Sequence, residues 1–422
     1  MTQERDLRAA GPLQVVAGIV VIASVAITAQ AGVPEFAIAL AFALFISVGE
    51  ILRINLPGGR QAAPLASAGA LAYALLPAFR GYPPLDISVP LAVSVVTLGS
   101  VVGAFPRALV GRGMHLDELA RRVLTTLFAA ALFRPVFGHR LSTEGLNWQI
   151  VLAMTLAAAV AMAADALLAA VVRSGQSRVP LRTAIVDEFR ALVGISTAIA
   201  STGVLIALAA PKMGYAALPV FAIPLLLTQF SFRRYATIDA TYLQTIRSLS
   251  KVTEVGGYTD TGHSRRVSRL AVTVGREMGV SQRDLVNLEY AALMHDIGQL
   301  SLPSPIASGM TTILAPVDQR RIAELGADII RETGVLDRAA LIVQRQADPY
   351  RPHRGQLDTS LPLESRIIKA VNAYDDFVGA SLEGDRKLQA IERLALQVDR
   401  EYDPAVVDTL ARIIERQTEY AY

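Results

Sequence analysis

Residues 288–303 read LEYAALMHDIGQLSLP, an apolar helical pattern that runs into the pair His295-Asp296. A second histidine, His263, lies upstream in the segment GHSRRV. Histidine and carboxylate side chains are the usual ligands of divalent metals that activate water. Because neighbouring helical residues point about 100° apart, the pair can share one ion only near a helix end or a helix crossing. Gly298 and the prolines after it predict such an end.

The sequence around this segment shows helical periodicity and no convincing strand pattern. Apolar residues at three- and four-residue spacing predict a helix at 264–278. Ser281 is predicted to cap the next helix, with Asp284 three residues on in an approximate capping box. Further helices are predicted at about 316–333, 337–347, 363–379, 385–400 and 404–418. We therefore predict an all-helical domain at 255–422.

Composition divides the chain near residue 234. Residues 1–234 hold 18 of the 40 Lys and Arg residues but only 11 of the 37 Asp and Glu residues. With a mean hydropathy of +0.41, this pattern excludes a single soluble domain and a disordered chain. The lack of cysteine excludes disulfides, thiolate metal sites and cysteine nucleophiles. The surplus Arg lies between apolar segments, where membrane topology explains it, so no nucleic-acid partner is expected.

Apolar runs of spanning or near-spanning length predict a polytopic membrane helix bundle at 1–232, with about eight transmembrane helices. The runs lie at about 12–30, 35–52, 61–79, 86–106, 123–138, 148–172, 191–210 and 215–231. The first lacks a small-residue cleavage site, so it is not read as a signal peptide. Arg residues cluster before the first run and after every second run. By the positive-inside rule, we expect a multi-pass protein in the cell membrane with both termini cytoplasmic.

Two ionisable residues, Arg134 and Asp165, lie inside predicted spans. Their depths differ by roughly 13 Å in a core of ~30 Å, so no direct ion pair is expected between them. We interpret Arg134 as a side chain that reaches the membrane surface and Asp165 as a lone polar contact between helices. A proton or ion path is the alternative.

A helical connector is predicted at 233–254, with a narrow stripe of apolar residues: Ile238, Tyr242, Leu243, Ile246, Leu249 and Val252. Two interpretations stay open. The stripe is either the seam of a homodimer formed through the connector helix or the inner face of a helix packed on its own domain.

The region around His295 resembles the HD superfamily of metal-dependent phosphohydrolases, and most closely its HD-GYP branch, the cyclic-di-GMP phosphodiesterases. The resemblance is carried by EVGGYTDTGHSRRV (254–267), LEYAALMHDIGQLSLP (288–303), SRIIKAVNAYDD (365–376) and EYDPAVV (401–407). It covers about 245–415. It implies a cytoplasmic HD-type domain, a divalent metal ion such as Mn²⁺ or Fe²⁺, and a phosphoester or nucleotide ligand.

The resemblance implies a reduced metal site. His263, His295 and Asp296 stand where the family has its first metal ligands, and Asn372 replaces the last ligand, an Asp. The neutral amide oxygen of Asn372 is a weaker ligand for a hard cation than a carboxylate. At most a single metal held by these four residues is expected.

Other family features are missing from the sequence. Gln299 replaces the Lys that usually follows HDIG. The branch's next ligand His is absent from 320–327, where Glu324 is the only nearby residue of a ligand type. The HHE and GYP signature is absent from 344–352, and His353 lies past its expected place.

Catalytic roles are expected for Asp296, as acceptor of a proton from water, and for Arg266, as a planar fork that grips phosphate. Asp375 and Asp376 are expected only to cap or solvate their helix.

Two functions from different classes follow. One is a membrane-anchored HD-type phosphohydrolase or phosphodiesterase in nucleotide or cyclic-dinucleotide signalling. The other is a catalytically inactive HD-fold signalling or binding module coupled to a membrane sensor.

Overall fold

The computed structural model describes residues 2–56, 60–82, 85–111, 116–144, 147–177, 179–306, 309–352, 358–379, 381 and 383–419. The chain forms two compact units. The first comprises Met1–Ser177 and Ala184–Ile238, and the second comprises Arg178–Thr183 and Asp239–Tyr422. The main division therefore lies a few residues past the expected end of the membrane domain.

Helices and one short hairpin make up the described part of the first unit. The helices, numbered in chain order, are α1 (Thr2–Ala31), α2 (Phe36–Ile51), α3 (Pro64–Leu75), α4 (Val89–Leu109), α5 (Leu116–Glu144), α6 (Trp148–Ser177), α7 (Leu181–Ala191), α8 (Thr197–Met213) and the first part of α9 (Ala217–Val255). Each apolar run predicted from the sequence overlaps one of these helices. The hairpin, which the sequence did not predict, pairs β1 (Ile54–Leu56) with β2 (Arg60–Ala62) in antiparallel fashion.

Within the described residues, four stretches are long and apolar enough to cross a membrane. They are Gly11–Ala31, Val89–Leu109, Trp148–Gln176 and Gly194–Val255, the last of which contains both α8 and α9. The apolar helices α2 and α3 are shorter, with 16 and 12 residues. Large apolar side chains on the long helices are exposed, as Ile22 (72%) and Leu98 (58%) show. Apolar surface of this extent is typical of helices that face lipid, and it indicates a membrane protein.

The two ionisable residues of the apolar segments have separate partners. Arg134 donates through Nε to Ala74 O at 2.9 Å and through Nη2 to Tyr73 O at 3.0 Å, at the end of α3. Asp165 accepts two hydrogen bonds from Arg121, at 2.9 and 2.8 Å. The expectation that Asp165 is a lone polar contact was therefore wrong. Arg121 lies between the predicted apolar runs 86–106 and 123–138, but the structure places it in α5, which begins at Leu116 and packs against α6.

The helix α9 runs for 39 residues from Ala217 to Val255. It joins the last apolar run to the predicted connector. In the first unit, its Arg233 donates through Nη2 to Leu52 O and Arg53 O, both at 2.8 Å. In the second unit, Ile246 of the same helix is buried in the core. The connector is thus the second half of a longer helix.

The described part of the second unit is helical apart from one isolated bridge between Val398 and Tyr402. Its further helices are α10 (His263–Glu277), α11 (Gln282–Met294), α12 (Pro316–Arg331), α13 (Asp337–Gln344), α14 (Leu363–Val378), α15 (Gly384–Ala395) and α16 (Pro404–Glu419). Ser281 caps α11 by accepting a hydrogen bond from Asp284 N at 3.3 Å, as predicted. Fully buried Ile367 and Val371 place α14 in the core against α10 and α11. The predicted all-α fold class is confirmed.

Candidate metal centre

His263 is the first residue of α10. The preceding Gly262 has φ +77°, in the left-handed region that glycine adopts without a Cβ penalty. The His263 side chain is buried, and its Nδ1 lies 2.8 Å from Asp375 Oδ2 on α14. A carboxylate only accepts, so Nδ1 carries the hydrogen and donates it to Asp375. The lone pair of Nε2 is therefore left for another partner.

His295 and Asp296 lie where α11 ends and a 3-10 turn, Ile297–Ser301, begins. This is the helix end that the sequence predicted for the pair. His295 Nδ1 donates to Ala292 O at 2.9 Å, so the Nε2 of this histidine is also a free acceptor. The turn packs tightly on α12, because a Cβ at Gly298 would lie 2.0 Å from Ile322 O. Only glycine allows this approach.

The three predicted first ligands converge on one point. Nε2 of His263 lies 3.3 Å from Nε2 of His295. Oδ2 of Asp296 lies 3.3 Å from the first nitrogen and 3.2 Å from the second. Two ligand atoms that each lie about 2.1 Å from one ion, at 90–109°, are about 3.0–3.4 Å apart. The triangle therefore has the dimensions of a single-ion site.

Asn372, on α14, completes the group. Its Oδ1 lies 3.0 Å from His295 Nε2, and its Nδ2 donates to Thr311 Oγ1 at 3.3 Å. The Thr311 bond turns the amide so that the oxygen faces the histidines. Four acceptor atoms, from His263, His295, Asp296 and Asn372, thus face one another in a buried site. Lone pairs that face one another repel, and a cation bound between these four atoms would remove the repulsion.

The titration of the group agrees with this geometry. Burial opposes the charged form of His263, but hydrogen bonds with Asp296 and Asp375 raise its pKa to about 10. Burial opposes the charge of Asp296 too, but the neighbouring His295 and His263 lower its pKa to about 2. The site therefore favours a bound positive charge. When no metal is bound, this charge is the proton on His263.

Asp375 was expected only to cap or solvate its helix, and that expectation was wrong. It is 5% exposed and connects two residues of α10. Arg266 donates to it through Nε at 2.9 Å and through Nη2 at 2.8 Å. Asp375 in turn accepts from His263. The sequence held a signal for this role, because Asn372 and Asp375 are three residues apart and share a helix face.

Arg266, expected to grip phosphate, has its guanidinium engaged elsewhere. Besides the two bonds to Asp375, its Nη1 donates to Thr261 O at 3.0 Å. Arg266 is thus bonded to Asp375, the same carboxylate that accepts a hydrogen bond from His263.

Asp376 is also not a solvated residue. It accepts a hydrogen bond from Thr312 Oγ1 at 2.7 Å, and burial raises its pKa to about 7. It shares a small cavity with Asp260 and His263. Sequence reasoning missed this residue, because burial of a helix end depends on the packing around it.

The positions where family features are missing contribute no further metal ligand among the described residues. Gln299 is fully buried and donates to Gly309 O at 3.4 Å, and its Oε1 has no partner in the described part of the chain. Glu324 is exposed, while Ile322 and Ala323 of the same helix face the cleft. His353 lies outside the described residues.

A cleft of about 1080 Å³ opens from His295, Asp296 and Asn372. Its walls come from α12, the segment 346–352 and the turn 397–402. A cavity of this size accepts a ligand as large as a nucleotide.

Comparison with known proteins identifies the same region. Residues 258–406 match the HD domain family. The chain is also 27% identical over 177 residues to the cyclic di-GMP phosphodiesterase response regulator RpfG of Xanthomonas campestris pv. campestris, an alignment that covers 39% of this chain and 47% of that protein. The chain thus spans about half the length of this curated relative. The four converging residues lie inside the matched segment, and the match to the HD domain family agrees with the resemblance found in the sequence.

Proposed function

We propose that the protein is a membrane-anchored, metal-dependent phosphodiesterase that hydrolyses a nucleotide phosphodiester, such as a cyclic dinucleotide. The observation that carries this proposal is the convergence of three ligand atoms and an amide oxygen at the base of a cleft of nucleotide size. Further support comes from the relative named a cyclic di-GMP phosphodiesterase.

His263, His295 and Asp296 would hold the divalent ion, Mn²⁺ or Fe²⁺, and Asn372 would lie beside it. When bound, such an ion polarises a phosphoryl oxygen and acidifies water. Asp296, which is ionised, would accept a proton from water at the site. We assign Arg266 as a positioning residue, because its guanidinium holds Asp375, which in turn orients His263.

Hydrolysis by full-length protein in detergent tests this function. Protein loaded with Mn²⁺ should hydrolyse cyclic di-GMP or bis(p-nitrophenyl) phosphate, and His295→Ala should abolish both bound metal and turnover. Arg266→Gln should weaken metal binding, whereas Arg265→Gln, which changes an exposed neighbour, should not. Protein that carries no stoichiometric metal and hydrolyses neither substrate would contradict the proposal.

A catalytically inactive binding module is the second candidate. The neutral Asn372 favours it, as does the uncharged Gln299, which stands where the family usually has a Lys. In that case the cleft would bind a nucleotide without turnover, and metal would be absent or have no effect on binding.

For the membrane part we propose about eight spans within 1–232, the connector at 233–254 and the HD domain at 255–422, with both termini in the cytoplasm. The alternation of Arg-rich loops supports this topology. A reporter fused after Arg60 should report the cytoplasm, and one fused at Tyr82 the outside. The reverse result would overturn the topology.

The same proposal includes a homodimer formed through α9. Leu243 and Ile246 of this helix pack in the core of the second unit. Tyr242 (43%), Leu249 (40%) and Val252 (48%) are exposed on an adjacent face. Both earlier interpretations of the connector thus find support, on different faces of one helix. Two copies anchored in one bilayer would bring this second face together in parallel.

Cysteine cross-linking tests the dimer cleanly, because the chain has no natural cysteine. Leu249→Cys should form an intermolecular disulfide in membranes. Lys251→Cys, which also lies on the exposed surface of α9 but points away from the stripe, is the control. Equal cross-linking of the two variants would contradict this dimer.

A further inference from the structure

The position of the helix α7 in the chain keeps it close to the membrane. It lies between the membrane-length stretches Trp148–Gln176 and Gly194–Val255. Its last residue, Ala191, comes three residues before Gly194. Three residues of extended chain reach at most about 11 Å. The end of α7 is therefore held beside the headgroup layer at the start of the next membrane-length stretch.

The chain bends sharply between α7 and α8. Leu192–Ser196 forms a π-helical turn, and Gly194 within it has φ −91° and ψ −105°, outside the helical region. A break of this kind ends the common axis of two successive helices. The helix α8 can therefore cross the membrane while α7 takes another direction, as a helix that lies along the membrane surface must.

One face of α7 is exposed, apolar and basic. At about 100° per residue, the side chains of Arg182, Val186, Phe189 and Arg190 fall within an arc of about 100° around the helix axis. All four are exposed, Val186 by 41% and Phe189 by 39%. This face thus has apolar side chains at its middle and a cation towards each end, and it contains neither acidic residue of α7.

Those acidic residues, Asp187 and Glu188, point to the other side of the helix. Arg173 of α6 lies 3.4 Å from Asp187 Oδ2 and 3.7 Å from Glu188 Oε1. By contrast, within the described part of the chain, neither the Arg182 nor the Arg190 guanidinium has an ion-pair or hydrogen-bond partner. Their two charges are therefore available to an anion outside the chain.

We propose that α7 lies in the membrane surface and binds anionic phospholipids through this face. Val186 and Phe189 insert among the upper parts of the acyl chains, while Arg182 and Arg190 bind headgroup phosphates. An apolar face bordered by cations is the pattern of an interfacial helix. Because the two Arg residues are eight positions apart, about 12 Å along the axis, they bind separate headgroups. The inference concerns the membrane part and does not depend on the metal centre.

Fluorescence quenching on full-length protein in detergent tests the inference, because the chain has no natural cysteine. A bimane label on Val186→Cys keeps the site apolar. The added phosphatidylglycerol or phosphatidylcholine carries a nitroxide near its headgroup, so quenching reports lipid at α7 itself. Each cation at a membrane surface strengthens the binding of anionic lipid about fivefold. Phosphatidylglycerol should therefore half-quench the label at up to about 25-fold lower concentration than phosphatidylcholine.

Two variants and a second label position serve as comparisons. Arg182→Gln/Arg190→Gln should remove most of this preference and change quenching by phosphatidylcholine less than about twofold. Arg265→Gln/Arg269→Gln, the matched control, removes two exposed cations from α10 and should keep the preference. A bimane on Leu396→Cys, at an 86% exposed residue of the second unit, should be quenched by neither lipid.

Three results would overturn the inference. The first is a label at position 186 that neither lipid quenches, which would leave this face to a protein contact. The second is half-quenching at equal concentrations of the two lipids, which would mean an apolar contact without a headgroup site. The third is an equal loss of preference in the two double variants, which would mean a response to net charge alone.

Discussion

Replacing Asp375 by Asn should weaken metal binding although Asp375 is not one of the proposed ligands. Its carboxylate accepts from His263 Nδ1 at 2.8 Å and fixes which nitrogen of that ring faces the ion. An amide oxygen can accept the same bond, but without charge. Charge-assisted hydrogen bonds contribute about 1.5–3 kcal/mol and neutral ones about 0.5–1.5 kcal/mol. The midpoints of these ranges differ by about 1.2 kcal/mol, which corresponds to about an eightfold loss of Mn²⁺ affinity.

Calorimetric titration of EDTA-treated full-length protein with Mn²⁺ at pH 6.5 measures this loss. Asp376→Asn is the matched control on the adjacent residue. Because burial raises the pKa of Asp376 to about 7, most of this carboxyl is already protonated at pH 6.5, and a neutral amide should change Mn²⁺ affinity less than about twofold. Unchanged affinity in Asp375→Asn, or an equal loss in both variants, refutes the assigned role of Asp375.

Three further predictions concern the same centre. Asn372→Asp should raise Mn²⁺ affinity about tenfold, as measured by calorimetry, because a carboxylate adds charge; unchanged affinity would show that residue 372 does not reach the ion. Since the pKa of His263 is raised from 6.5 to about 10, Mn²⁺ must displace a proton, and its affinity should rise by up to about tenfold per unit between pH 7 and 9. By the same sign, the stabilisation that His263 contributes to the metal-free protein should be complete below pH 6.5 and be lost as the pH rises through 10, so stability that does not fall between pH 7 and 10 contradicts the shift. Gly298→Ala should destabilise the fold by about 3 kcal/mol in thermal or denaturant unfolding, because its Cβ would meet Ile322 O at 2.0 Å; near-native stability would contradict the close packing.

Local patterns in the sequence were enough to predict the helices and the ligands at their ends. The helical periodicity of the second unit predicted the positions of α10 to α16 to within a few residues. The spacing of His295 and Asp296 required a helix end, and the structure has one there. These features depend on neighbours in the chain, which is why one sequence suffices to find them.

Contacts between distant segments were harder to predict. Asp375 and Arg266 are charged residues of a common kind, and only the crossing of α10 and α14 shows that they are bonded. Arg121 lies between two predicted apolar runs, and only the packing of α5 against α6 shows that it forms an ion pair with Asp165.

The helix α9 is continuous, so it resists twisting about its own axis. At 1.5 Å per residue its 39 residues extend about 58 Å, and its two halves belong to different units. A helix held at both ends transmits rotation far better than a flexible linker does. One residue inserted between Arg233 and Ile246 would therefore turn the two ends by about 100° against each other, whereas seven would nearly restore the phase.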